Sequence, residues 1–354
     1  MLSQSTTFVI GAGASSDFDF PTGEGLQDRI TEYLRLNTDA RRFESDRMWY
    51  ALVPLMQQGD FSQLVQRYAG AAQRISEGMP LAASIDNFLH THQQDNDIVL
   101  IGKIAIALAI VEAEAASPLA VRAPDSSPAS PLSTERYRTS WYFPFMKLLT
   151  MGTRSDDPRA FFRNIRFVVF NYDRCLELVL LYTLKGYYGL QLDQALEVLA
   201  GIDIIHPYGS IGPLSDSVGP GIPFGYRDAD IGNIASGIKT FTESVDERIV
   251  QQARLAVADA DTLVFLGFGF LPQNMNLLRP KANRQAMRIY ATTFGVSETD
   301  ELVIREKLQD FVRTPNDVGK FEFVRTNSAH TSVIDTDNGT CRNLIENHRM
   351  RLLA

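Results

Sequence analysis

The chain has 354 residues, 45% apolar and 21% charged, which excludes a disordered chain, a collagen-like repeat and a coiled coil as its main architecture. Acidic residues exceed basic ones by 42 to 34, a formal net charge of −8, so the chain lacks the basic footprint of a duplex-DNA binder and no direct nucleic-acid partner is expected. Cys175 and Cys341 form no CxxC pair, a four-cysteine zinc site cannot be built from one chain, and no metal is expected. Two isolated thiols, and an N-terminus without a basic, apolar leader, suggest a reducing cytoplasm.

Taken in chain order, TTFVI (6–10) reads as a strand that runs straight into Gly11. From about residue 24 the pattern turns helical. Leu26, Ile30 and Leu34 recur at fourfold spacing, and SIDNFLHTH (84–92) reads as a short helix with Ser84 as its cap. Residues 97–116 form a long apolar helix. Its apolar stretch Ile98–Val111, interrupted by Lys103, is too short to span a bilayer, so no membrane partner is expected. Residues 117–135 carry Pro118, Pro124, Pro128 and Pro131 and read as an exposed, mobile loop. A Gly/Ser linker in its place is expected to leave stability nearly unchanged, because loop closure depends weakly on length.

Strand-like runs then return: RFVVFN (166–171), IDIIH (202–206), DTLVFLGF (261–268), MRIYATT (287–293) and FEFVRT (321–326). Short apolar runs alternating with helices predict an α/β fold, a Rossmann-like parallel sheet of about six strands. Residues 1–23 and 136–354 would form the sheet domain, with a helical insertion at 24–135.

Three features carry chemistry. The first is G-x-G-x-S at Gly11, Gly13 and Ser15, directly after a strand, where backbone N–H groups can approach a phosphate at a helix start. It lacks the third glycine of the dinucleotide fingerprint, Glu32 is a poor ribose partner, and a plain tight turn would use the same glycines. The second is FNYD, which puts Asn171 and Asp173 at the C-terminal end of a buried strand, the ligand-binding edge of open α/β sheets. Asp173 is equally suited to capping the helix that follows. The third is His206, at a strand end before the turn HPYGS, with the pKa range of a general base and also that of an ordinary structural hydrogen-bonder. His90 and His92 point away from each other on their helix and are poor metal ligands.

GAGAS with FPTG, then SIDNFL, FNYD, His206 before a glycine turn, FLGFGF and YATTFGVSE occur in the order that resembles the sirtuin-like superfamily, most closely the bacterial NAD-hydrolysing proteins of antiphage defence. The resemblance runs from Thr7 to about Gly295. It implies that Gly11, Ala12, Gly13, Ser15, Thr22, Gly267 and Gly269 bind NAD and that Asn171, Asp173 and His206 form a catalytic centre. It implies a NAD glycohydrolase releasing nicotinamide and ADP-ribose, with NAD as substrate, depleting NAD in abortive infection. A protein deacylase or ADP-ribosyltransferase, and a non-catalytic NAD or ADP-ribose sensor, are the alternatives. HPYGS in place of the usual HG and GFGF in place of GTS are departures, and the deacylase zinc ribbon is missing. Gly13→Val is expected to abolish NAD binding with the fold kept. Control is expected from homo-oligomerisation and from a separate protein, a DNA-translocating ATPase or a short Argonaute. The helix around Ile98–Val111 and the helical 24–90 region are the candidate interfaces, with burial in their own core the simpler use.

Overall fold

The computed structural model describes residues 2, 4–37, 42–123, 129–215, 221–239, 247–280, 286–312 and 333–354. Its strands are β1 (Thr6–Ile10), β2 (Leu36–Asn37), β3 (Arg42–Phe43), β4 (Ile165–Val169), β5 (Ile204–Ile205), β6 (Thr262–Leu266), β7 (Arg288–Thr292) and β8 (Val333–Asp337). β2 and β3 make a short antiparallel ladder. The other six form one sheet in the order β5-β4-β1-β6-β7-β8, every pairing parallel. Phe8 of β1 lies opposite Phe167 on one side and Val264 on the other. Every residue of β1 and β6 is buried, which is why these strands read as continuous apolar runs.

The fold is thus α/β and Rossmann-like, as the pattern implies. The sheet grows outward from β1 to β4 and β5 on one side, then crosses back to β6, β7 and β8 on the other. The crevice above β1 is therefore the topological switch point, where open α/β sheets bind ligands. Two strands differ from expectation. FEFVRT (321–326) lies outside the described residues, and among the described residues the sixth strand of the sheet is VIDTD, which the pattern does not mark and which is only partly buried. IDIIH contributes just Ile204 and Ile205.

The β1–β4 connection carries α1 (Gly23–Tyr33), α2 (Asp46–Met56), α3 (Phe61–Gly78), α4 (Ile85–Thr91), α5 (Asn96–Ala116), α6 (Glu135–Thr139) and α7 (Tyr142–Thr150). Beyond β4 come α8 (Cys175–Tyr188), α9 (Leu192–Ala200), α10 (Ile231–Gly237), α11 (Glu247–Ala258), α12 (Pro272–Leu278), α13 (Glu298–Leu308), α14 (Cys341–Asn347) and α15 (Arg349–Leu353). Asp95 caps α5 by accepting from the N–H groups of Asp97 and Ile98. The helix then buries Ile101 through Val111, Lys103 included, against α1, α2, α3, α4 and α10. Its apolar surface packs into the chain's own core. Among the described residues no helix is long and apolar enough to cross a membrane.

The helical layer is not cut cleanly at residue 135, because α10 joins it from beyond β5. α7 lies instead on the sheet, with Phe145 4.9 Å from Phe8 and 6.3 Å from Phe167, ring centre to ring centre. One continuous apolar cluster joins the layers.

The segment 117–135 is not the exposed loop its prolines suggest. Leu119 and Pro131 are buried, the Ser117 hydroxyl donates to the Phe18 carbonyl at 3.0 Å, and the Ala129 N–H donates to Val121 at 2.9 Å. Proline blocks a helix here but not burial of the apolar residues between. Residues 124–128 lie outside the described residues. Replacing all of 117–135 with a Gly/Ser linker should cost roughly 2–5 kcal/mol, from the buried Leu119 and these two hydrogen bonds. A urea midpoint corresponding to a loss under about 0.5 kcal/mol, within the range of an ordinary surface change, would restore the dispensable-loop reading.

Candidate active site

The turn after β1 is built by close backbone approach. The Gly11 and Gly13 N–H groups donate at 3.0 Å to the carbonyls of Leu266, the last residue of β6, and Gly267, the first beyond it. A Cβ on Gly11 would stand 2.6 Å from the Gly267 carbonyl oxygen, and one on Gly13 2.9 Å from the Gly267 Cα. Gly267 itself is left-handed at φ 56°, its N–H on the Thr292 hydroxyl at 2.8 Å. These glycines therefore serve the contact between two loops first. Gly13→Val would drive a branched side chain into backbone, so it is not the ligand-only change the sequence suggests. With two amides consumed internally, the turn's Ala12 amide, at the first position of a 3-10 segment (Ala12–Phe18), is the one left without a helical partner. Trp141 fixes this segment from α7: its Nε1 donates to the Ala14 carbonyl at 2.7 Å and its N–H to Asp17 at 3.0 Å.

Above this turn lies a cavity of about 610 Å³, within the usual range for small-molecule sites. Its walls come from the segments after β1, β4, β6 and β7, and from α1 and α4 of the helical layer. Gly11, Ala12, Gly13, Thr22, Gly267 and Gly269 line it, as do Asn171 and Asp173. Two expected members do not. Ser15 sits behind the wall, accepting from Asn171 Nδ2 at 2.9 Å. His206 also lies outside it, with Nδ1 3.3 Å from the Asn171 carbonyl and Nε2 2.8 Å from Glu177. With both ring nitrogens occupied, His206 holds Asn171 in place and is not positioned as a base on a bound ligand. The Glu32 side chain is on the exposed face of α1, away from the cavity.

Asn171 is 5% exposed, and its Oδ1 is buried without a partner. Such an acceptor costs about 1–3 kcal/mol and is rare outside sites that use it. Asp173 both lines the cavity and accepts from the Cys175 N–H at 3.0 Å, so the helix-start role and the site role coexist. Burial raises its carboxyl above the ordinary value. Sequence reasoning missed Asp86, which α4 carries to the cavity, and Tyr172, whose phenol donates to it. It also missed Tyr208, whose hydroxyl donates to Asn274 at 2.6 Å across the same wall. Asp86 lies inside SIDNFL, so the motif was visible but its direction was not. Among the described lining residues are three carboxyls, Asp17, Asp86 and Asp173, and no Lys, Arg or His.

Burial alone pushes the His206 imidazole down; the Glu177 carboxylate and the Asn171 carbonyl outweigh it, and the net shift is upward. A group more basic when folded adds stability that is full below its unfolded pKa, about 6.5, and lost as pH rises through its folded value. Unfolding free energy should therefore fall as pH climbs above about 6.5, and His206→Asn should flatten that fall. An unchanged pH slope in the variant would show that another group is responsible.

No family model matches the chain, and no curated protein matches it.

Proposed function

We propose that the chain is a NAD glycohydrolase, cleaving the nicotinamide–ribose bond to give nicotinamide and ADP-ribose. One observation carries the reading: a cavity of about 610 Å³ at the sheet's switch point whose described lining holds three carboxyls and no cationic side chain. Nicotinamide departs as a neutral molecule and leaves an oxocarbenium-like sugar. A wall of carboxyls and amide oxygens favours that cation more than it favours the ground state, which is the condition for catalysis. The Gly11–Gly13 turn would take the pyrophosphate, using the Ala12 amide and the start of the 3-10 segment. Asn171 would orient the ribose or the attacking water through its unpartnered Oδ1, held from behind by Ser15 and His206. No residue here is asked to be a strong acid, in keeping with the leaving group.

The resemblance in motif order supports the same substrate and extends the proposal to antiphage NAD depletion in the cytoplasm, with assembly or a partner protein as the control. The test is nicotinamide release from NAD, read together with NAD affinity. Gly269 is the clean position, because it lines the cavity, has ordinary backbone angles and would meet nothing within 4 Å of a Cβ. Gly269→Val should weaken NAD binding at least tenfold by calorimetry with the melting temperature unchanged, about the penalty for filling a ligand's space. Unchanged NAD affinity in that folded variant would move the nucleotide out of this cavity.

A further inference from the structure

We propose that Asp86, supplied by the helical layer and not by the sheet, is the catalytic carboxylate of this site. The inference rests on the glycohydrolase reading above. Of the three carboxyls in the wall, two are engaged by the backbone of other residues. Asp17 accepts from the Trp141 N–H at 3.0 Å and braces the glycine turn, while Asp173 accepts from the Cys175 N–H at 3.0 Å and starts α8. Asp86 is tied to its own backbone too, but it is also held by a side chain from the facing segment, the Tyr172 phenol on its Oδ1, and Tyr172 stands between Asn171 and Asp173 at the strand end. α4 is anchored for this purpose. Ser84 caps it by accepting from the Asn87 N–H at 3.1 Å, and Ile85, Phe88 and Leu89 are buried. The second residue of the helix is thereby fixed against the far wall, facing the segment that carries Asn171.

That placement gives a defined step. The bond from C1′ to the nicotinamide nitrogen breaks, and its electron pair leaves with neutral nicotinamide. A water oxygen bonds to C1′. The Asp86 carboxylate faces the cationic sugar and takes the proton that water loses, which then passes to solvent. The balance is NAD plus water to nicotinamide, ADP-ribose and one proton. Burial also lifts the Asp86 carboxyl above its ordinary value, and the hydrogen bond from the Tyr172 phenol works the other way.

The experiment measures nicotinamide release and NAD affinity for the full chain, Asp86→Asn, Asp86→Glu and Asp86→Ala. Asp86→Asn should lower kcat at least 100-fold with NAD affinity within about threefold of wild type. Asp86→Glu should recover part of kcat, and added formate should restore turnover to Asp86→Ala, since a free carboxylate can enter the vacated space. Wild-type kcat in Asp86→Asn, or a loss carried entirely by affinity, overturns the assignment while leaving the glycohydrolase reading intact. Should Asp86→Asn fail to fold, absence of formate rescue in a folded Asp86→Ala protein overturns it equally. A wild-type chain that binds NAD and releases no nicotinamide overturns the glycohydrolase reading, and Asp86 falls with it.

Discussion

Glu114→Ala should destabilise the protein by about 3–5 kcal/mol, the range for breaking a buried ion pair from one side. Arg174 and Glu114 are 1% and 2% exposed at the side chain. The guanidinium donates through Nε to Oε1 at 3.0 Å and through Nη2 to Oε2 at 2.6 Å, a two-pronged geometry. Its remaining nitrogen donates to Ile222 at 2.7 Å and Pro213 at 3.1 Å, and the Gly225 N–H donates back to Glu114 at 3.3 Å. One pair thus ties α5, the segment after β4, and Pro213, Ile222 and Gly225 together. Burial raises the Glu114 carboxyl although Arg174 pulls the other way, a sign of how little water reaches it. Removing the carboxylate leaves a guanidinium with no water and no counter-charge. Against a usual total of about 5–15 kcal/mol, that is a large share. The double change Glu114→Leu with Arg174→Met should cost much less than either single change, because an apolar pair needs no desolvation. A urea-derived loss under about 1 kcal/mol for Glu114→Ala would show that water or another group takes over.

The composition of α5 explains why this pair escapes a reading of the sequence. EAEAA looks like the polar end of an apolar helix. Glu112 and Glu114 are two residues apart, hence roughly 200° around the axis. Glu112 faces outward to Arg47 at 3.1 Å, while Glu114 faces the core. Which of the two is buried depends on what lies across from them, and that partner is 60 residues away.

The strands illustrate the same division. β1 and β6 are legible because burial on both faces demands an unbroken apolar run, and glycines end each one. β8 is not, because an edge strand needs only partial burial and tolerates the acids that discourage edge pairing. The site was legible where a strand end fixes the place of a residue, as for Asn171 and Asp173. For His206 the strand end gave the neighbourhood and not the direction, and its ring turns behind the wall towards Glu177. Asp86 illustrates the converse, a motif on the insertion whose reach across the cavity depends on how two layers are docked.

Asn171→Ala should lower nicotinamide release by about 10² or more, the scale for a positioned catalytic group, while leaving stability nearly unchanged. The two halves of that expectation come from one side chain. Nδ2 contributes a hydrogen bond to Ser15, a net gain of about 0.5–1.5 kcal/mol. Oδ1 is buried with no partner and costs about 1–3 kcal/mol. Deleting both removes a gain and a penalty of similar size, so the folded state loses little and the urea midpoint should stay close to wild type. His206→Ala acts on the same residue at one remove, by releasing the Asn171 carbonyl, and should lower kcat less than Asn171→Ala does, with His206→Asn recovering part of the loss through its remaining polar atoms. Unchanged turnover in a folded Asn171→Ala protein would remove this residue from the mechanism. A stability loss above about 3 kcal/mol would show instead that its amide is structural, because only a buried polar group with all its partners engaged is that costly to delete.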